Sequence, residues 1–456
     1  MRQPEKENKM GHMPVGRLLA TMALPMILSM LVQALYNIVD SVYVSRVSED
    51  ALTAVSLAFP VQNLMIGFST GVGVGVNSLL SKCLGSREFD RANRAAGNGV
   101  LLAMVCCLTF TILGGCFSGF FFRTQSDVAA ITQGGTQYLT ICTLFSFGIF
   151  GEILFERLLQ ATGRTLYTMI TQGTGAILNI LLDPLFIFGG LGIPAMGVAG
   201  AAVATVIGQI VAFLLAMLFH FTKNTDVRLS LKTMAPRWNV LKPILGVGIP
   251  SVIMVAIGSV MTFCMNRILN GFNTTAVAVF GSYFKIQSVI FMPIFGLNNA
   301  LISIVAYNYG ARKPERIRRA ILLSMAVAFC FMLVGFLSFE LCPDLLLSLF
   351  EPSERFLAIG RKALRAIGWH YLLAGFCIVL SAVFQALGKG LYSTFTSMAR
   401  QLVVLLPTAW LLSLSGNLDL VWWSFPIAEV ASLTISLMLF FRLHRQRLRP
   451  MLRERS

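Results

Sequence analysis

Long runs of apolar residues alternate along this chain with short segments that are polar or contain Gly and Pro. Measured against the ~20 residues that a spanning helix needs, the runs predict twelve helices. They cover 17–44, 52–80, 95–117, 129–155, 165–188 and 197–221, then 240–268, 276–308, 319–341, 357–386, 391–414 and 419–441. In chain order these are helix 1 to helix 12. The expected fold class is an all-α polytopic membrane protein with twelve transmembrane helices.

The pattern also repeats itself at an offset of 225 residues. Pro25 falls on Pro250, Ala51 on Ala276, Phe59 on Phe284, Gln62 on Gln287, Gly71 on Gly296 and Ser78 on Ser303. Gly85-Ser86-Arg87 matches Gly310-Ala311-Arg312, and Gln160-Ala161-Thr162-Gly163-Arg164 matches Gln385-Ala386-Leu387-Gly388-Lys389. Six helices per copy is an even number, so both copies enter the membrane the same way. The copies are then lobes related by a pseudo-twofold axis along the membrane normal. The expected division is residues 1–221 as the first lobe, 222–239 as a cytoplasmic linker, and 240–456 as the second lobe with a basic tail.

Composition changes this picture little. With 56% hydrophobic and 12% charged residues, and mean hydropathy +0.75, the chain is too apolar for a water-soluble domain of its length. The net charge of +16 would suggest nucleic acid if it formed one patch. Instead Lys and Arg gather before helix 1, after the even-numbered helices, and in the tail from Arg442 to Arg455. By the positive-inside rule those segments and both termini are cytoplasmic. Their expected partners are anionic lipids, not nucleic acid. Arg355, Arg361, Lys362 and Arg365 break the rule on the outer side, softened by Glu351 and Glu354. Lys285 is read as the basic residue inside a span, facing a cavity.

Motifs of covalent chemistry are missing from the sequence. There is no P-loop, and neither the cysteines nor the histidines have metal or redox spacing, so no enzyme and no cofactor are expected. Gly71-Val72-Gly73-Val74-Gly75 lies in an apolar helix, where close helix packing explains it better than a phosphate cradle. The polar first 15 residues and the long first apolar run give no cleavable signal peptide.

Chemistry is expected where the membrane makes polarity expensive. Acids inside the predicted spans are Asp40, Glu152, Glu156, Asp183 and Glu429, and an Asp at a helix centre costs ~2.5–3.5 kcal/mol on insertion scales. At 1.5 Å per residue, Asp40 lies roughly 35 Å along helix 1 and Asp183 roughly 27 Å along helix 5, both outward-running. The two can share the outer half of the first lobe. Tyr36 and Asn37 precede Asp40 by one turn, Asn179 precedes Asp183 by one turn, and Thr205 on helix 6 reaches similar depth. Pro184 and Pro25 free backbone carbonyls nearby. Low dielectric and a like-charged neighbour both disfavour an ionised carboxylate, so protonation is an available switch. Sodium would need several oxygens, which Asp40, Asn179 and Asp183 could supply as a metal site.

Gln62, Tyr138, Gln160, Lys285, Gln287, Asn298 and Asn299 are candidate substrate-cavity residues, with aromatics suited to apolar cations. Two readings stay open for Glu156: attracting cations in the cytoplasmic half, or pairing with Arg157. Glu429 is likewise divided between a cavity role and pairing.

Several segments together resemble the MATE (multidrug and toxic compound extrusion) transporters, most closely their MepA-like bacterial branch. They are Ala34-Leu35-Tyr36-Asn37-Ile38-Val39-Asp40, Ser56-Leu57-Ala58-Phe59-Pro60, Leu158 to Arg164, Asn179 to Pro184, Gly197 to Ala202, and Phe425-Pro426-Ile427-Ala428-Glu429. The resemblance implies two six-helix lobes around a central cavity in a bacterial cytoplasmic membrane. It also implies export of organic compounds against an inward H⁺ or Na⁺ gradient, by a protein taken to act as a monomer. Asp40, Asn179, Asp183 and Thr205 match the ion-coupling positions of the family's first lobe. The NorM-like branch places acids in helices 7 and 10, where this chain has none, which points coupling to the first lobe. The alternative is a flippase of lipid-linked oligosaccharides or lipids, which would line its cavity with arginines. Here the arginines are read as loop residues.

Overall fold

A computed structural model describes residues 8–190, 192–350 and 353–453; Glu351 and Arg455 lie outside the described residues. Those residues are helical nearly throughout, and an isolated bridge between Gly190 and Ile193 is the extended pairing among them. Ten helices are long and apolar enough to cross a membrane, and two bent pairs bring the spans to twelve. Helices 1 to 3 are Val15–Ser45, Glu49–Gly85 and Phe89–Gln125; helix 4 is the pair Ala129–Leu144 and Phe147–Ala161; helices 5 and 6 are Thr165–Phe188 and Val198–Lys223. Helices 7 to 9 are Trp238–Asn270, Thr274–Gly310 and Pro314–Leu341; helix 10 is the pair Glu354–Gly368 and Tyr371–Ala386; helices 11 and 12 are Gly390–Ser413 and Leu418–Met451. Phe120, Phe263 and Leu341 stay about 70% exposed on these helices, which suits surface covered by lipid.

Local signals recur at the repeat offset. Ser48 caps helix 2 by accepting from the Ala51 amide at 3.0 Å, and Asn273 caps helix 8 by accepting from Ala276 at 2.8 Å. Both helices end in the same reversal. Glu88 N–H bonds to the Cys83 carbonyl and Lys313 N–H to that of Asn308, each at 2.9 Å, with Arg87 and Arg312 left-handed at φ 60° and 52°. An L-residue in that conformation costs ~1–2 kcal/mol. Arg87, whose side chain is exposed, gives a clean test. Arg87→Gly is expected to raise the midpoint of thermal unfolding in detergent, and Arg87→Val to lower it.

The bends in helices 4 and 10, 46° and 51°, were not expected, because neither break holds Pro or Gly. Buried polar side chains bonded to backbone occupy both. His370 Nδ1–H donates to the Ile367 carbonyl at 2.7 Å, and Ser146 Oγ–H donates to the Cys107 carbonyl at 3.4 Å. The first bond, to a carbonyl in the preceding turn, competes with the helical ladder; the second ties the break to helix 3.

The outer basic cluster belongs to Glu354–Gly368, whose charged face is exposed and whose Phe356, Leu364 and Ile367 are buried. Within it, Arg361 pairs with Asp344, and Lys362 with Asp419 at 2.6 Å.

Two compact units form, divided differently from the expected lobes. Unit 1 holds Asn8 and Leu28–Val252; unit 2 holds Lys9–Ile27 and the chain from Ile253 onward. The boundaries fall inside helices 1 and 7, shortly after Pro25 and Pro250, rather than in the 222–239 linker. Glycine explains why these segments fit where they do. Within unit 1, a Cβ on Gly71 would lie 2.8 Å from the Gly248 carbonyl oxygen, and one on Gly75 would lie 2.2 Å from that of Ile244. Within unit 2, a Cβ on Gly296, the repeat partner of Gly71, would lie 2.7 Å from the Ile27 nitrogen. The glycine run of helix 2 is thus a backbone-to-backbone packing face.

Candidate functional site

Helices 1, 2, 4, 5 and 6 bring a polar cluster together inside unit 1. Helices 5 and 6 approach closely because Gly175 and Gly208 face each other; a Cβ on either would lie 3.1 or 2.8 Å from the other's carbonyl oxygen. That approach sets Asn179 against Thr205. The Asn179 amide satisfies both neighbours when its nitrogen donates to Asp183 Oδ2 at 3.1 Å. Its oxygen then accepts from the Thr205 N–H at 3.1 Å and the Thr205 hydroxyl at 3.2 Å. Asp183 is completely buried, and Asn179 and Thr205 nearly so.

Asp40 of helix 1 completes the arrangement. Its carboxyl group lies within hydrogen-bonding reach of Asp183, while its Oδ1 is enclosed without a partner. Neither carboxylate has an ion pair with Lys or Arg among the described residues. At ~4 Å and an effective dielectric of ~20, two like charges repel by about 4 kcal/mol. A shared proton or a captured cation removes that repulsion. Tyr36 sits in the field of Asp40, Asp183 and Glu152. Gln62 Nε2 donates to the buried Tyr138 hydroxyl at 3.1 Å, on the same side as Asp40. Asn37 is exposed.

Further along helix 4, two expected cavity residues are enclosed instead. Glu156 accepts from the Thr171 hydroxyl at 3.0 Å and from Gln172 Nε2 at 2.8 Å, and Ser29 donates in turn to Gln172. Arg157 Nη1 donates to Gln160 Oε1 at 2.9 Å. Glu156 and Gln160 are each 2% exposed; Glu156 joins helices 4 and 5, and Gln160 is held within helix 4.

The second-copy candidates fall in unit 2 and form no comparable acidic pair. Lys285 is exposed, its Nζ 5.9 Å from the centre of the Phe350 ring. Asn298 Nδ2 donates to the Ile378 carbonyl at 3.3 Å, Asn299 is buried, and Gln287 lies beside Tyr283. Glu429 is bonded by Arg400 Nη1 at 3.2 Å. Arg400 is the residue that sequence reading missed. It sits within the apolar run of helix 11, so the arginines are not confined to loops and Lys285 is not the lone base in a span. One charged residue inside a run of that length was the available signal.

No group of three or more His, Cys, Asp or Glu side chains able to hold a metal ion occurs among the described residues. Spans this numerous, built on a repeated six-helix unit and burying uncompensated carboxylates, define a polytopic membrane transporter. A family model, MatE, matches the chain twice, over residues 25–185 and 250–411, in step with the internal repeat. The chain belongs to the MatE family, whose members are transporters.

Among curated relatives, the chain is 26% identical to a protein described as the probable multidrug resistance protein YoeA of Bacillus subtilis, over 95% of both chains. It is 25% identical to an FAD transporter of Shewanella oneidensis, over 87% of this chain and 88% of that one. It is 24% identical to the multidrug export protein MepA of Staphylococcus aureus, over 95% of both. A solved structure of a multidrug resistance MATE family transporter in an outward-facing conformation superposes with TM-score 0.90 and 27% identity, covering 99% of this chain and 100% of that one.

Proposed function

We propose that this protein is a secondary active efflux transporter of a bacterial cytoplasmic membrane, with both termini inside. It exports organic, cationic amphipathic compounds by alternating access in exchange for an inward-moving ion. The observation that carries the reading is the Asp40–Asp183 pair: two carboxyl groups side by side, one completely buried, with no basic ion-pair partner among the described residues. Such a pair binds a cation or proton when exposed to one side and releases it to the other. One charge moving down the membrane field supplies ~2.3 kcal/mol per 100 mV.

Between the two candidate ions, the amide of Asn179 favours the proton. It offers Asp183 a donor nitrogen, while its oxygen is held by Thr205. Sodium at Asp40, Asn179 and Asp183 would require that amide to turn over, which keeps a bond to the Thr205 hydroxyl but loses the one from the Thr205 N–H. Either ion is cargo, not a resident cofactor. Relatives named as multidrug proteins support the export of organic compounds.

Reconstitution into vesicles tests the reading. Ethidium transport is followed by fluorescence while a proton gradient and a sodium gradient are imposed separately, and the proton gradient alone is expected to drive uphill ethidium movement. Movement driven by sodium alone would reassign the ion, and none under either gradient would overturn the proposal.

A further inference from the structure

We propose that Arg400 is an anchor for an anionic group, a phosphate or carboxylate carried on an apolar organic body, in unit 2. Its ion pair with Glu429 is unevenly exposed. The Glu429 side chain is 3% exposed and that of Arg400 is 27% exposed, although the two are bonded at 3.2 Å. Glu429 is therefore the backing and Arg400 the face. A guanidinium has five N–H donors in a planar fork. Glu429 engages one nitrogen, Nη1, and a fork with donors to spare can meet a planar or tetrahedral oxyanion in bidentate fashion.

The surroundings are rich in donors. Tyr283 lies in the field of both Arg400 and Glu429. The hydroxyls of Tyr283 and its neighbour Tyr371, both completely buried, make no well-formed hydrogen bond. His370, also near the pair, spends its Nδ1–H on the Ile367 carbonyl. The second Glu429 oxygen is enclosed and makes no well-formed hydrogen bond, and Cys377 lies beside Glu429. A ligand entering from the open side thus meets positive charge first.

Backbone and repeat agree with a special role. Arg400 is the second residue of a π-helical stretch, Ala399–Leu405, a distortion that re-aims side chains and is common at functional sites. At the 225-residue offset it replaces Gly175, the residue that lets helices 5 and 6 close together, and Glu429 replaces Ala204. The position that lets two helices close in one copy carries a guanidinium in the other. A pair needed only for stability gains little from being ionic, since apolar residues of the same volume serve as well or better.

Binding measured without any gradient separates this proposal from ion-coupled efflux. The purified protein in nanodiscs of neutral phosphatidylcholine is titrated with 1-naphthyl phosphate and with 1-naphthol, which differ by the phosphate. The wild type is expected to bind the phosphate at least ~10-fold more tightly, the scale of one charge-assisted contact. Arg400→Gln should abolish that preference while leaving 1-naphthol binding unchanged. The double variant Arg400→Met with Glu429→Leu removes both buried charges together and guards against misfolding from an orphaned carboxylate; it should lose the preference too. Competition by phosphatidic acid added to the nanodisc would identify a lipid headgroup as the source of the anion, and its absence a soluble compound. Equal binding of the two naphthyl probes by the wild type, or a preference that survives both variants, would overturn the assignment.

Discussion

Asp183→Asn is expected to reduce gradient-driven dye efflux to the level of protein-free vesicles, and Asp40→Asn to do the same. Asparagine keeps the shape of the side chain and can still bond Asn179, so folding and the helix 5–helix 6 contact should survive. What is lost is one of two facing carboxyl groups, and with it the repulsion of about 4 kcal/mol that makes ion capture favourable. The discriminating measurement pairs uphill efflux with dye counterflow, which needs no ion gradient. Loss of the first with retention of the second assigns the residues to coupling. Undiminished uphill efflux in both variants would move the coupling site elsewhere in the chain.

The second large effect concerns stability. Gly75→Ala places a methyl group 2.2 Å from the Ile244 carbonyl oxygen. A backbone atom cannot swing aside as a flexible side chain does, so helices 2 and 7 must separate, at a cost of ~1–3 kcal/mol or more. Gly173→Ala is the matched control. Nothing lies within 4 Å of a Cβ there, and replacing a helical glycine by alanine is worth ~0.5–1 kcal/mol in favour of the folded state. Thermal unfolding in detergent should therefore shift down for the first variant and up for the second. Equal shifts would remove the packing role assigned to the glycine face.

Much of this architecture was legible because lipid imposes a simple grammar. Apolar runs gave twelve spans, and polar residues inside them were rare enough that Asp40, Asn179, Asp183 and Thr205 stood out before any contact was seen. Other features left no such mark. The breaks at Ser146 and His370 depend on which carbonyl a buried side chain reaches. For Glu156 the sequence left a cavity role and pairing with Arg157 both open, because it does not show that Thr171 and Gln172 of the next helix bond the carboxylate. Arg400 was hidden by the length of the apolar run around it. The assignment of Lys9–Ile27 to unit 2 reflects packing, which hydropathy does not encode.

That last feature bears on the origin of the repeat. The chain leaves unit 2 within helix 1 and leaves unit 1 within helix 7, at residues 225 positions apart, so each six-helix copy donates the first part of its opening helix to the body formed mainly by the other copy. A single-copy ancestor with this packing could not have been a self-contained monomer. It would have been a domain-swapped dimer, two chains trading their N-terminal arms. Joining two such copies in one chain makes the trade intramolecular and leaves the two bodies free to differ, one holding Asp40 and Asp183 and the other Arg400.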